Sequence, residues 1–181
     1  MKKFKLTSEF IVDISGVKLF RIKALIEFGN VKAGDLGGYI EKEENLSHMG
    51  DAWVSGDARI SGDAQVSGDA WVFGDTQVFG DARVFGNAWV SGNARVFGDA
   101  QVSGDARVSG DKDYAYAHGF GSCNRTTTFF RLKDGDVGVR CGCFYGTLAQ
   151  FRDKVCETHG ETKKAQEYLM LADLMEIRFK N

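Results

Sequence analysis

The chain has 181 residues, with 23 basic against 25 acidic side chains and a formal net charge of −2. That balance lacks the positive excess needed to bind a phosphate backbone, so no nucleic-acid partner is expected. The sequence has no run of about 18 apolar residues and no apolar signal core behind its basic start, which predicts a cytoplasmic protein without a membrane partner.

Residues 1–50 are predicted to form an N-terminal β cap. Residues 10–22 have the pattern of two short strands joined at Ser15 and Gly16. Residues 23–28 fit either a helical turn or a third strand, and the pattern does not choose between them.

Two further segments of the cap lead into the next region. Residues 34–40 resemble a degenerate repeat unit and are expected to start the winding of a repeat structure. Residues 41–46 are highly charged, which suits a cap that protects an otherwise open sheet edge.

Residues 51–113 are a six-residue repeat. Each unit contains an aliphatic residue, Ser or Phe, Gly, Asp or Asn, Ala or Thr, and then Arg, Gln or Trp; only the last unit breaks the pattern, at Lys112. The aliphatic position is occupied in ten consecutive units by Val54, Ile60, Val66, Val72, Val78, Val84, Val90, Val96, Val102 and Val108.

This short period predicts a parallel β-helix. Side chains alternate along a strand, so the small and aliphatic residues of each unit point inward and their neighbours point outward. Gly accepts positive φ and Asp or Asn tolerates the left-handed region, so each Gly-Asp pair forms a corner. Three strands and three corners close a coil of 18 residues, and the repeat supplies about three coils.

One outer face of the predicted prism carries all three tryptophans. An aromatic strip on the surface of a soluble protein marks a contact, so we predict a homo-oligomer, most simply a trimer. The predicted interface residues are Trp53, Trp71, Phe73, Trp89 and Arg107. Two alternatives stay open: contact with the chain's own terminal segments, and ladders that only stack between coils.

Residues 114–181 are predicted to form a small α+β domain. Residues 126–132 and 137–141 flank Asp134 and Gly135 and have the pattern of a β-hairpin.

Two helices follow the predicted hairpin. Thr147 is a suitable N-cap for a first helix that ends at Gly160, and Thr162 opens a second helix.

A ligand-binding surface is predicted on this domain, because here the strict repeat gives way to chemically varied sequence. Donors, positive charges and aromatic rings suit an anionic aromatic small molecule or an acidic patch on a host protein. The predicted ligand-binding residues are Arg125, Thr126, Thr127, Arg131, Arg140, Phe120 and Tyr145. The glycine-rich residues 119–122 have two interpretations, a phosphate-binding loop or an ordinary turn before the hairpin.

The four cysteines also have two interpretations. Cys141 and Cys143, together with Cys123 and either Cys156 or His159, would make a four-ligand zinc site. The spacing lacks the paired knuckles of such sites, so reduced or packed thiols are favoured, and no metal or cofactor is predicted.

The repeat resembles the hexapeptide-repeat superfamily, whose members form a left-handed parallel β-helix. The resemblance implies a mainly β fold of that hand, and it brings a CoA-dependent acyltransferase as an alternative function, with His118 or His48 as the base. Those enzymes use a histidine near the subunit joint and a loop that protrudes from a coil. Residues 52–111 contain neither, so no catalytic residue is predicted.

Residues 28–31, 34–41 and 141–148 around the repeat are similar to uncharacterised repeat proteins of phages and prophages of Gram-positive bacteria, which are often labelled transferase or polymer-forming. This resemblance implies a phage origin, a location in the host cytoplasm and a role against host defences. We therefore expect a non-enzymatic oligomeric scaffold whose C-terminal domain binds a host protein or a small nucleotide-like ligand. A structural polymer, in which prisms stack end to end, is a further alternative.

Overall fold

Residues 2–180, which the computed structural model describes, form a cap, a three-sided β-prism (residues 51–113) and an α+β domain. The cap contains β1 (Phe4–Val12), β2 (Lys18–Ala24), β3 (Leu36–Ile40) and a 3-10 turn at Glu43–Asn45. The prism strands β4 to β13 are Trp53–Val54, Arg59–Ile60, Gln65–Val66, Trp71–Val72, Gln77–Val78, Arg83–Val84, Trp89–Val90, Arg95–Val96, Gln101–Val102 and Arg107–Val108, followed by a 3-10 turn at Asp111–Asp113. The C-terminal domain contains β14 (Tyr114–Phe120), β15 (Arg125–Arg131), β16 (Val137–Cys141), β17 (Phe144–Thr147), α1 (Leu148–His159) and α2 (Lys163–Phe179).

The cap is built on the antiparallel hairpin of β1 and β2. Asp13 closes its turn, because the carboxylate accepts the backbone N–H groups of Ser15 and Val17 at 2.8 and 2.9 Å. The predicted pair of strands is confirmed, and β1 begins earlier than the sequence pattern indicated.

Residues 23–28 form neither a helical turn nor a third strand. The first two end β2, and the backbone of Phe28 exchanges two hydrogen bonds with Val31. This loop carries the Phe28 ring onto Trp53, with the ring centroids 5.4 Å apart in an edge-to-face arrangement.

Each face of the prism is a sheet of parallel strands. The first face contains β4, β7, β10 and β13, and the third contains β6, β9 and β12. The second contains β5, β8 and β11 and continues through β3 into the hairpin. Neighbouring strands pair in register, as Trp71 does with Trp89, and inward side chains such as Ala82 and Val84 are fully buried. The β-helix predicted from the period is confirmed.

The corner glycines are required by the backbone and by the stacking of coils. Gly68 has a φ of +68°, and a Cβ there would lie 2.9 Å from the backbone nitrogen of Gly86 in the next coil. Any other residue would combine left-handed strain with a backbone clash.

The winding starts before the strict repeat. Ile40 pairs in parallel with Ile60, and Leu46 bridges to Val66. The residues of both pairs are 20 apart in the chain, whereas regular pairs such as Val54 and Val72 are 18 apart, so the strict period does not include them. The solenoid therefore has about four turns instead of the predicted three, and the degenerate unit at residues 34–40 does start it.

The N-terminal end of the prism presents carbonyl groups that have no preceding coil. Within the prism such a carbonyl accepts an N–H from the coil before it, as Ala88 O does from Trp71 N at 2.9 Å. At the first corner the Lys3 ammonium replaces the missing N–H donors, donating to Gly50 O at 3.1 Å and Ala52 O at 2.7 Å.

Asn45 has the same role on the third face. Its amide Nδ2 donates to Gly62 O at 3.0 Å and to Ala64 O at 2.8 Å, and these two residues hold the same repeat positions as the acceptors of Lys3. The side chains of Lys3 and Asn45 are both buried. Two buried polar side chains thus satisfy carbonyls that would otherwise be orphaned.

The C-terminal end presents the opposite groups, N–H donors that have no following coil. The Arg95 N–H donates to the Asp111 carboxylate at 2.9 Å, and the Gln101 N–H donates to the Thr128 hydroxyl at 3.0 Å. This end is therefore closed by side-chain acceptors.

The C-terminal domain is a four-stranded antiparallel sheet, ordered β14, β15, β16 and β17, with two helices. The predicted hairpin is the pair β15 and β16; the outer strands β14 and β17 were not predicted. The Thr147 hydroxyl accepts the Gln150 N–H and the Thr162 hydroxyl accepts the Ala165 N–H, so both predicted N-caps are confirmed, and α1 ends at Gly160 as expected. Among residues 2–180, no helix is both long and apolar enough to cross a bilayer.

Strand β15 joins this domain to the prism. Phe130 and Tyr114 belong to the same buried cluster as the prism interior, whereas Phe129 belongs to the cluster beneath the two helices. One side of the sheet therefore covers the end of the coil stack, and the other side supports α1 and α2.

Candidate functional site

The residues predicted to bind a ligand do not form one site. Arg131 lies over the Phe179 ring and donates to the carbonyl groups of Gly135 and Phe179, which ties the hairpin to the end of α2. Arg140 lies over the Phe85 ring on the prism, 5.4 Å from its centroid. Both arginines join parts of the fold to each other.

The other predicted residues are also spread over the domain. Thr127 is buried and donates to Cys141 Sγ, and Thr126 bonds the exposed His118. Phe120 is exposed at the end of β14, and Tyr145 lies near the prism corner at Asp105. Residues 119–122 end β14 and begin the turn before β15, which agrees with the ordinary-turn interpretation.

Arg125 alone of the seven lines the cavity that we take as the candidate site. The cavity lies between the β16–β17 turn, α1 and α2 and has a volume of about 200 Å³. Its apolar wall consists of Phe144, Phe151 and Val155.

The guanidinium group of Arg125 lies against a glycine of the β16–β17 turn. Gly142 and Cys143 form the two-residue turn between β16 and β17, and Gly142 has a φ of +57°. Its Cα carries no side chain, and a Cβ there would collide with Arg125 Nη1. The guanidinium group therefore rests directly on the turn, beside the cavity.

Tyr168 supplies a buried hydroxyl group at the cavity. Its Oη accepts the Ser122 backbone N–H at 3.0 Å and lies 3.3 Å from Ser122 Oγ. Burial raises the pKa of Tyr168, so the phenol stays protonated at neutral pH. The His159 ring stacks against the tyrosine with their centroids 5.8 Å apart.

The cavity has a positive character. Its lining includes Arg125 and Lys154 and no Asp or Glu side chain. Lys154 is paired with Glu157 on the exposed side of α1. Cationic side chains beside apolar rings favour an anionic ligand over a neutral or cationic one.

Sequence reasoning missed most of this site. Six lining residues were not predicted as site residues: Phe144, Phe151, Lys154, Val155, Thr158 and Tyr168. Ser122 belongs to the loop at residues 119–122, for which phosphate binding was one interpretation. The one usable signal was Gly142, because a glycine between two cysteines at a strand end indicates a two-residue turn that allows close approach.

The zinc alternative is not supported. Cys141, Cys143 and His159 line the cavity, but Cys123, which both versions of the predicted site require, does not line it, and neither does Cys156. Among the described residues, no three His, Cys, Asp or Glu side chains come close enough together to hold a metal ion.

The two histidines considered as catalytic bases have structural surroundings. His48 stacks on Phe4, with ring centroids 4.3 Å apart, and its Nδ1 accepts the Lys3 N–H. His118 Nδ1 lies 2.8 Å from the Thr126 hydroxyl and 3.8 Å from Asp99, so one ring nitrogen faces both neighbours. A relay needs the two nitrogens to face different groups, and this arrangement does not provide one.

The first face of the prism, which carries the three tryptophans and is called the aromatic face below, is only partly exposed to solvent. Trp53 is 3% exposed because Phe28 covers it, so this residue of the predicted interface packs in the chain's own core. Trp71 and Trp89 stack at 6.4 Å, and Trp89 is 46% exposed. The Arg107 guanidinium lies 4.7 Å from the Trp89 ring centroid.

Phe73 also belongs to the exposed part of this face, together with Trp71, Trp89 and Arg107. Its ring meets Trp89 edge to face, 6.2 Å away. On this face, the chain's own terminal segments thus cover only the first tryptophan, whereas on the other faces Tyr116 packs on Phe97 and Arg140 lies over Phe85.

Comparison with known families agrees with the fold. The model of the YdcK beta-solenoid repeat matches residues 52–68, 76–92 and 100–111, all of which lie in the prism. No curated protein matches the chain. The match and the coil stack together show a repeat β-helix protein.

Proposed function

We propose that the chain is a non-enzymatic oligomeric scaffold whose C-terminal domain binds an anionic ligand. The observation that carries this proposal is the cavity beside Arg125, which combines cationic side chains with an apolar wall and has no acidic residue in its lining. A rigid support that holds a chemically varied site is a common arrangement for binding proteins.

The prism suits a supporting role better than a reactive one. Its backbone groups are used in hydrogen bonds between coils, and its inward side chains form the core. Its two ends are closed by Lys3, Asn45, Asp111 and Thr128, and the C-terminal sheet covers one of them. Closed ends do not favour the alternative of a polymer in which prisms stack end to end.

Oligomerisation through the open part of the aromatic face is the second part of the proposal. We expect a trimer in which Trp71, Phe73, Trp89 and Arg107 meet a sister subunit, because closed symmetry buries such a strip without open ends. Changing both Trp71 and Trp89 to Glu should convert the trimer to a monomer or to insoluble protein, measured by light scattering.

The second face provides a matched control for that experiment. Phe79 and Phe97 also stack, at 5.3 Å, and each is 36% exposed. Changing both of these to Glu should leave the mass of the assembly unchanged. An unchanged mass in the tryptophan double variant would remove this face from the interface.

The binding role is tested on the purified protein by native mass spectrometry, which reports both the number of subunits and any small molecule that co-purifies. Arg125→Ala should abolish the bound mass and leave the assembly intact. Deleting the whole domain is the poorer test, because Phe130 belongs to the prism core and its loss would open the end of the stack.

A host protein is the alternative partner, and it is the one that the implied role against host defences would need. An acidic protein patch would engage the same cationic rim. Capture of such a protein by the wild type, lost in Arg125→Ala and with no small molecule bound, would favour this alternative.

A further inference from the structure

We propose that the cavity beside Arg125 binds a single-ring aromatic carboxylic acid, with the ring inside the cavity and the carboxylate on the guanidinium group. This inference rests on the proposed function, because it names the class of anion that the same site takes.

The size of the cavity sets the first limit. Its volume of about 200 Å³ lies below the range of about 300 to 1,000 Å³ that encloses drug-sized ligands. An apolar cavity of about 150 Å³ is enough for one benzene molecule. One ring and a small substituent therefore fit, whereas a nucleotide, with base, ribose and phosphate, would leave most of its atoms in solvent.

The wall of the cavity favours a flat apolar ring. The Phe151 ring meets Tyr168 edge to face at 5.6 Å and is tilted against Phe144 at 5.5 Å, so three aromatic side chains present edges and faces in different directions. Aromatic groups prefer such edge-to-face and offset contacts, and a single ring can make several of them at once. Val155 adds an aliphatic contact from α1.

The guanidinium group of Arg125 indicates which charged group the ligand carries. Within residues 2–180 this guanidinium forms no ion pair or side-chain hydrogen bond, and it lies against Gly142. A planar guanidinium can donate two parallel hydrogen bonds to a carboxylate, which makes it a selective partner for that group.

Neutral donors complete the site. The Ser122 and Thr158 hydroxyl groups line the cavity, and the protonated Tyr168 hydroxyl lies behind Ser122. These groups can serve a second acceptor on the ring or a water molecule, and none of them repels an anion.

The test uses three probes with purified full-length protein: benzoate, benzamide and inorganic phosphate. Calorimetry or ligand-observed NMR measures binding, and peptide mass spectrometry measures protection of the cavity thiols Cys141 and Cys143 from iodoacetamide. Cys156 does not line the cavity and is the internal control. Arg125→Ala is compared with Arg83→Ala, which removes an exposed arginine from the prism.

Benzoate should bind at least tenfold more tightly than benzamide and phosphate, since the charge-assisted hydrogen bonds require the carboxylate and the apolar wall requires the ring. It should protect Cys141 and Cys143 but not Cys156. Arg125→Ala should weaken benzoate at least tenfold with an unchanged melting temperature, and Arg83→Ala should bind like the wild type.

Three results would overturn this inference: equal binding of benzamide, binding of phosphate as tight as that of benzoate, or no binding of benzoate. In each case the broader proposal has its own outcome. If Arg125 is still needed for a larger co-purified anion or a host protein, the binding role stands and only the ligand class is wrong. If no Arg125-dependent partner is found at all, the binding role is wrong as well.

Discussion

The two ends of the prism are closed by opposite chemistry. At the N-terminal end, Lys3 and Asn45 donate hydrogen bonds to carbonyl groups of the first coil. At the C-terminal end, Asp111 and Thr128 accept hydrogen bonds from N–H groups of the last coils. A stack of parallel coils is therefore polar along its axis, much as an α-helix is, and each end needs caps of its own kind.

Because one end leaves carbonyl groups and the other leaves N–H groups unpaired, the repeat requires donor side chains at the first end and acceptor side chains at the second. Of the side chains that close the ends, only Asp111 belongs to the repeat; Lys3, Asn45 and Thr128 come from outside it, and the four share no sequence motif. They share only a donor or acceptor placed over a strand edge. Exchanging donor for acceptor at one end should therefore be far more damaging than a change that keeps the same kind of group.

The largest effect is expected for Asn45→Asp. The new carboxylate would face the carbonyl oxygens of Gly62 and Ala64 in a buried position, without a counter-ion. We expect the free energy of unfolding to fall by about 3 to 5 kcal/mol, the range for an uncompensated buried charge. Urea denaturation followed by circular dichroism measures the change.

The matched control is Asp111→Asn at the other end. Its amide oxygen can still accept the Arg95 N–H, so we expect a loss of at most about 1 kcal/mol. Equal losses in the two variants would show that the ends do not differ in the kind of cap that they need.

The second effect concerns the pH dependence of the Lys3 cap. Burial lowers the pKa of Lys3 from 10.5 to about 8, with Asp51 and Asp69 acting weakly in the opposite direction. Between pH 8 and 10.5 the unfolded chain therefore holds a proton that the folded chain has released, so this residue makes stability rise with pH over that window. The rise amounts to about 3 kcal/mol at most.

The comparison of variants isolates this contribution from other groups that titrate at alkaline pH. Lys3→Met should lack the rise, whereas Lys5→Met, which removes an exposed lysine two residues further along, in β1, should retain it. Denaturation midpoints measured at intervals from pH 7 to 10.5 give the two curves. Parallel curves for wild type and Lys3→Met would contradict a lowered pKa at this cap.

The smallest effect is expected for Thr128→Val at the C-terminal end. Valine has nearly the same shape but leaves the Gln101 N–H without its acceptor, which should cost about 1 to 2 kcal/mol. Thr126→Val is the control, because its partner His118 is exposed and can turn to water, so its stability should change by less than about 0.5 kcal/mol. A Thr128 variant as stable as the Thr126 variant would mean that water replaces this cap.

The sequence was sufficient for the parts of the fold that depend on local patterns. Inward Val and Ala, corner Gly and Asp, and the caps Thr147 and Thr162 follow from periodicity and backbone chemistry within a few residues. The prism, the β15–β16 hairpin and both helices were predicted for that reason. Strands β14 and β17 were missed because they are defined by pairing with β15 and β16 and not by a local sequence pattern.

The candidate site could be predicted only in part. Arg125, predicted to bind a ligand, does line a cavity, but Arg131 and Arg140 have the same composition signal and serve as links between structural elements. The charge and hydrogen-bonding groups of a side chain can be read from the sequence. Whether several side chains meet at one cavity depends on the direction in which each strand points them.

The sequence by itself determined the repeat: a period of six, set by Gly at positive φ and alternating inward side chains, permits essentially one kind of structure. Only the tertiary structure decided how that structure ends and where the candidate cavity lies. Lys3 meets Gly50, Asn45 meets Gly62, and Arg125 rests on Gly142 through contacts between chain segments that no local period relates. Periodic interactions can be read along the chain, but caps and cavities arise where distant segments meet, and their chemistry is set by the groups that the repeat leaves unsatisfied.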